Sequence, residues 1–191
     1  MNGTAARARD RQEIFTRYPA TSVLLYNGVT IAHFLLGAAG LVVGYGSPVG
    51  WVLGPVYFSL ALLEMYVVMP LKVCNKCVYY RLENSLCVSG LNVVSRRLTG
   101  PADMRDFPGR AKGAFCPNNL YLAALGFPIV AMIPALIMNF SFVLLGIILA
   151  VAGLLVFRFF FIFTRVACVH CRAKNVCPNA TAMGLNNPES N

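Results

Sequence analysis

The chain has 191 residues, 58% of them hydrophobic and only 12% charged, with a mean hydropathy of +0.65. Ordinary soluble domains carry about 45–50% apolar and about 25% charged residues, so this composition excludes one, and with it disordered, collagenous and disulfide-stapled secreted classes. Sixteen basic against seven acidic residues leave a net charge of +9, whose meaning depends on where those residues fall along the chain.

The N-terminal stretch carries Arg7, Arg9, Arg11 and Arg17, interrupted by Asp10 and Glu13. An apolar run over about residues 22–44 follows. It exceeds the 7–15 residues of a signal-peptide core and has acidic residues in its flank, so it reads as a retained anchor. A second run covers about 49–71, with Glu64 its only charge. A third, about 120–138, contains Pro128 and Pro134, and a fourth, about 142–163, contains Arg158. Each is long enough to cross about 30 Å of hydrocarbon, which takes roughly 20 helical residues. The links between the first and second runs and between the third and fourth are short and uncharged. The expectation is an all-α integral membrane protein, a single membrane domain of four transmembrane helices arranged as two helical hairpins.

Lys72, Lys76, Arg81, Arg96, Arg97, Arg105, Arg110 and Lys112 lie in the loop 72–119, and Arg165, Arg172 and Lys174 open the tail 164–191. The positive-inside rule makes the loop and both termini cytoplasmic, a multi-pass topology. No basic stripe interleaved with aromatics is present, so nucleic acid is not expected, and the bilayer is the first partner. Within the loop, Val88, Leu91, Val94 and Leu98, with Arg96 and Arg97, predict a short amphipathic helix lying on the membrane surface. Tyr79 and Tyr80 fit an aromatic interface belt. Gly40, Gly44, Gly50 and Gly54 predict close helix approach, and His33, Asn27 and Asn139 predict hydrogen bonds between helices or at an interface.

All seven cysteines avoid the apolar runs. Cys74-Asn-Lys-Cys77 follows the second run, then Cys87, then Cys116-Pro117. Cys168-Val-His-Cys171 follows the fourth, then Cys177-Pro178. Each half therefore repeats one plan of helix, turn, helix, C-x-x-C and further cysteine, a parallel pseudo-repeat about an axis along the membrane normal. Cytoplasmic thiols stay reduced, which disfavours a disulfide framework. A C-x-x-C turn places two thiolates on one metal or cluster, and nearby Lys72, Lys76, Arg172 and Lys174 are expected to lower thiol pKa values. Two partitions stand open. One is a site per half, complete for Cys74, Cys77, Cys87 and Cys116 but one ligand short for Cys168, Cys171 and Cys177, with His170 the only local substitute. The other is one site shared by the two C-x-x-C pairs. The cofactor is an iron–sulfur cluster, which the Cys-Pro endings slightly favour, or zinc.

Glu64 precedes Cys74, and Arg158 precedes Cys168, each by ten residues, which places both about 15 Å along the helix from the cysteines. An unpaired charge at that depth is costly, so an intramembrane Glu64–Arg158 ion pair is expected. No P-loop, dinucleotide fingerprint, H-E-x-x-H or nucleophile elbow is present, which points to a subunit or electron carrier rather than a self-sufficient enzyme. The leading function is a membrane metalloprotein passing electrons between a soluble redox partner and a membrane partner. A zinc-stapled structural subunit or assembly factor of a membrane complex, or a metal-ion transporter using Glu64, are the alternatives.

Overall fold

A computed structural model describes residues 13–46, 48–111 and 113–185. Arg7, Arg9, Asp10, Arg11, Lys112 and the end of the tail lie outside the described residues. Four long apolar helices dominate, each long and apolar enough to cross a membrane. The first is α1, Ala20–Tyr45. The second begins as α2, Val49–Leu63, and runs on through a π-helical stretch, Glu64–Val68, into an α-turn, Met69–Lys72. A short helix, α3, Leu91–Leu98, lies in the loop. The third long helix is α4, Pro117–Met138, and the fourth is α5, Phe142–Phe157, continued by a π-helical stretch, Arg158–Ala167. Among the described residues β-pairing is limited to two isolated bridges.

Local signals explain the helix ends. Pro117 occupies the first turn of α4, where no partner for an N–H is needed, and the Cys116 sulfur accepts from the Asn119 amide at 3.4 Å. Ser141 caps α5 through its hydroxyl, 3.5 Å from the Leu144 amide. Both π stretches begin ten residues before a C-x-x-C cysteine. Met69 N–H donates to Glu64 C=O and Cys168 N–H to Phe163 C=O, each a five-residue step. In the first case the wider turn sits just before Pro70, whose ring an ordinary α-turn would crowd.

α1 packs against α2, α4 and α5. Small residues allow this, as expected. A Cβ on Gly50 would lie 2.6 Å from the Val42 carbonyl oxygen, and one on Gly54 2.8 Å from that of Ala38. Gly40 and Gly44 meet Met132 and Ala135 of α4 in the same way. A side chain larger than hydrogen at Gly50 or Gly54 would push these two backbones apart.

The prolines of α4 leave carbonyls open, and neighbouring helices fill them. Pro128 deprives Ala124 C=O of its helical partner, and the Tyr57 hydroxyl donates to that oxygen at 2.9 Å. His33 Nε2 bonds Leu125 C=O at 2.9 Å, and the Tyr45 hydroxyl donates to Ala131 C=O, three residues before Pro134, at 2.7 Å. His33 thus makes the interhelical bond expected of it. Asn27 donates to Ser89 C=O and accepts from the Tyr66 hydroxyl.

The short helix expected in the loop forms as α3, but its apolar residues do not share one outward face: Leu91 is buried and Val88 packs against the core, while a polar face is enclosed beside them. Asn92 and Ser95 are almost fully enclosed, while Val93, Val94 and Leu98 are exposed. The Asn92 amide donates to Ser85 C=O at 3.0 Å, Ser95 Oγ to Pro70 C=O at 2.8 Å, and Arg96 to Leu82 and Ser85 carbonyls. Those loop carbonyls need partners, and that requirement outweighs the burial of three valine and leucine side chains. Tyr79 is not an interface belt residue either, being 1% exposed with its hydroxyl bonded to Phe15 C=O at 2.6 Å.

Candidate metal centre

Each C-x-x-C folds as a tight turn at the end of a π-containing helix. Cys77 N–H donates to Cys74 C=O and Cys171 N–H to Cys168 C=O, both at 3.2 Å. Cys77 then takes an extended conformation and starts the helical turn Val78–Arg81, as Cys177 does for Pro178–Ala182. The two turns face one another across a cavity of about 160 Å³ lined by Cys74, Cys77, Cys87, Cys168, Cys171 and Cys177. None of the seven cysteines is in a disulfide.

Cys116 is elsewhere. It is buried as the cap of α4 and faces a separate basic hollow with Lys72, Lys76 and Arg105. The set Cys74, Cys77, Cys87 and Cys116 is therefore not assembled, and the six remaining thiols gather around the shared cavity instead. Among the described residues no group of three or more His, Cys, Asp or Glu is drawn tightly enough to hold a single metal ion. His170 does not complete the second set, because its Nδ1 bonds Glu13 C=O at 2.8 Å and its ring stacks on Phe15.

A strap that the composition did not reveal ties the Cys168–Cys171 turn to the loop before Cys87. Residues 13–18 run extended between them. Phe15 N–H donates to His170 C=O at 3.1 Å on one side, and Tyr18 N–H to Leu86 C=O at 2.9 Å on the other. Tyr79 anchors the strap, donating to Phe15 C=O and accepting from the Arg172 amide at 3.2 Å. Tyr18, whose hydroxyl donates to Ala167 C=O, lines the cavity beside Tyr79. The aromatic residues of Phe15-Thr-Arg-Tyr18, just before an apolar run, were the available signal.

At Cys171 the electrostatics run opposite to the sequence expectation. Burial pushes the Cys171 thiol well above its ordinary range; the Ala173 amide offsets this in part, and Cys77, Cys168 and Cys177 raise it further. Burial, then neighbouring thiols and Tyr79, raises the Tyr18 hydroxyl too. The basic side chains are engaged elsewhere: Lys76 pairs with Asp106 at 3.5 Å, and Arg172 donates to the Thr16 hydroxyl. At Cys171 desolvation wins, because these cations are engaged elsewhere and its sulfur is buried.

The expected Glu64–Arg158 ion pair is absent. α2 and α5 pack against α1 and α4 rather than against each other, so residues at matched depth do not meet. Arg158 is 1% exposed and donates to the Thr30 hydroxyl at 2.8 Å. Its guanidinium carbon lies 4.7, 5.3 and 5.5 Å from the ring centres of Tyr26, Tyr121 and Phe163. Three electron-rich faces take the place of a carboxylate. Glu64 is enclosed between α2 and α4, and its Oε1 has no hydrogen-bond partner.

Comparison with protein-family models, curated proteins and solved structures finds no match.

Proposed function

We propose that this chain is a multi-pass membrane protein whose four spans form two hairpins of a duplicated plan, with a cytoplasmic thiol cavity holding an iron–sulfur cluster. The cluster exchanges single electrons between a soluble redox partner and a membrane partner. One observation carries the reading: six cysteines from four separated stretches of chain line a single cavity. The four cysteines of the two C-x-x-C turns, Cys74, Cys77, Cys168 and Cys171, none of them in a disulfide, are the ligands of first choice. Cys87 and Cys177 stand beside them.

The donor set fits a cluster better than a bare ion. A tetrahedral zinc with Zn–S near 2.3 Å needs its four sulfurs within about 4 Å of one another. A cluster carries its own iron and sulfide core, so its thiolates stand further apart around a wider space. The thiols line a cavity of about 160 Å³, and among the described residues no three are drawn tightly enough for a single ion. Burial keeps Cys171 protonated in a metal-free site, and a cationic centre supplies the charge that stabilises the thiolates. The matched π stretches, each beginning ten residues ahead of a C-x-x-C, support the duplicated plan. The positive-inside rule supports the topology, since Lys72, Lys76, Arg105, Arg165 and Arg172 all flank the cysteine end. Lys72, Lys76 and Arg105 line an open hollow of about 740 Å³ there, which suits an acidic soluble partner.

Anaerobic purification from iron-supplied cells tests this. The expected product is brown, contains iron and acid-labile sulfide, and becomes paramagnetic on one-electron reduction. Cys74→Ser and Cys171→Ser lose the iron, while Cys116→Ser keeps it. A colourless protein holding stoichiometric zinc would replace electron transfer by a structural staple.

A further inference from the structure

A second hollow, of about 450 Å³, opens between α2 and α4 toward the surface that faces lipid. Its walls are apolar, including Leu60, Leu63, Ala123 and Phe127. The exception is Glu64, 9% exposed, which lines the groove with a buried Oε1 lacking any partner. The Tyr57 hydroxyl at the groove is already donated to Ala124 C=O and does not serve the carboxyl. A ligand reaching this place must come through the bilayer and must bring a polar group to the depth of Glu64. Phospholipid chains have none there, and would leave the carboxyl unsatisfied at a cost of about 1–3 kcal/mol or more. A ring bearing oxygen on an isoprenoid tail satisfies both demands. Benzene fills an engineered cavity of about 150 Å³, so the groove holds such a ring together with the start of its tail. The helix that carries Glu64 leads directly to the thiol cavity, which Met65 and Met69 also line.

We propose that the groove between α2 and α4 binds an isoprenoid quinone, with Glu64 bonded to a ring oxygen and delivering a proton to it. This rests on the cluster reading for its source of electrons. A centre held by the cavity thiols would supply single electrons drawn from a soluble one-electron donor. As each electron reaches the quinone, the Glu64 O–H bond breaks and a new O–H bond forms at the ring oxygen. Water then reprotonates Glu64. A second electron and proton, delivered in the same way, complete the quinol.

The test uses iron-loaded protein in phospholipid nanodiscs, with a decyl-tailed benzoquinone as acceptor. Reoxidation of the reduced centre is followed optically. Glu64→Gln keeps a hydrogen-bond donor but no transferable proton, and is expected to slow reoxidation about a hundredfold with KM little changed, the lower end of what a positioned acid contributes. Glu64→Asp recovers part of the rate. Ala123→Phe, which fills the groove, raises KM. Separately, a photoreactive azidobenzoquinone is expected to label Leu60 or Phe127 in protein with or without iron, and excess quinone to suppress that labelling. Wild-type reoxidation in Glu64→Gln, or labelling that quinone does not suppress or that Ala123→Phe leaves intact, overturns the proposal. Labelling that persists in a protein that never binds iron and sulfide overturns the cluster reading alone and leaves the groove as a quinone-class site.

Discussion

The Tyr57 hydroxyl is the clearest single test of how these helices are held. It donates to Ala124 C=O at 2.9 Å, and that oxygen is open only because Pro128, four residues on, has no N–H. Tyr57→Phe keeps the buried ring and removes the donor. Interhelical hydrogen bonds in membranes average about 0.6 kcal/mol with a maximum of about 1.7. Leaving a buried carbonyl unsatisfied costs about 1–3 kcal/mol. The expected loss is therefore about 1–2 kcal/mol. In a Pro128→Ala background the new amide restores the α-helical bond to Ala124 C=O, and Tyr57→Phe should cost close to nothing. The cycle isolates this coupling from the packing that Pro128→Ala itself disturbs against Gly37. Titrating the four proteins with a denaturing detergent in mixed micelles, followed by circular dichroism, gives the energies. An equal cost for Tyr57→Phe in both backgrounds would refute the idea that the hydroxyl stands in for the missing amide.

Gly50→Ala and Gly54→Ala force a methyl to within 3 Å of rigid backbone and should each destabilise by about 1–3 kcal/mol in the same assay. Gly28→Ala and Gly153→Ala, where a methyl meets nothing, should be neutral or slightly stabilising. In metal-free protein, Cys171 should react slowly with iodoacetamide at neutral pH, and its rate should rise about tenfold per pH unit as the thiolate fraction grows. Because burial raises this acid, the unfolded chain ionises first. Its contribution to stability is complete below the ordinary thiol range and is lost as pH rises above it, by at most about 1.4 kcal/mol per unit. Tyr79→Phe removes the bond to Phe15 C=O and the acceptor for the Arg172 amide, and should increase hydrogen exchange and proteolysis within residues 13–18, with the four long helices unaffected.

Four helices long and apolar enough to cross a membrane were legible from hydropathy along the chain, because a run of some twenty apolar residues with at most one charge has few other uses. So was the gathering of thiols outside those helices, since cysteines are visible one by one in the chain. Close approach at Gly50 and Gly54 was legible too, because small residues at four-residue spacing mark one helix face. Which thiols share a cavity was decided only in three dimensions. Cys116, read with Pro117 as one of two Cys-Pro endings, was drawn off to cap α4, while Cys87 and Cys177 joined the C-x-x-C pairs. The charges tell the same story: counting residues places Glu64 and Arg158 at equal depth, but depth says nothing of azimuth. The arrangement of α1 and α4 between their two helices sent Arg158 to an aromatic cage and Glu64 to an apolar groove. Sequence spacing measures distance along an axis, and only packing determines what lies across it.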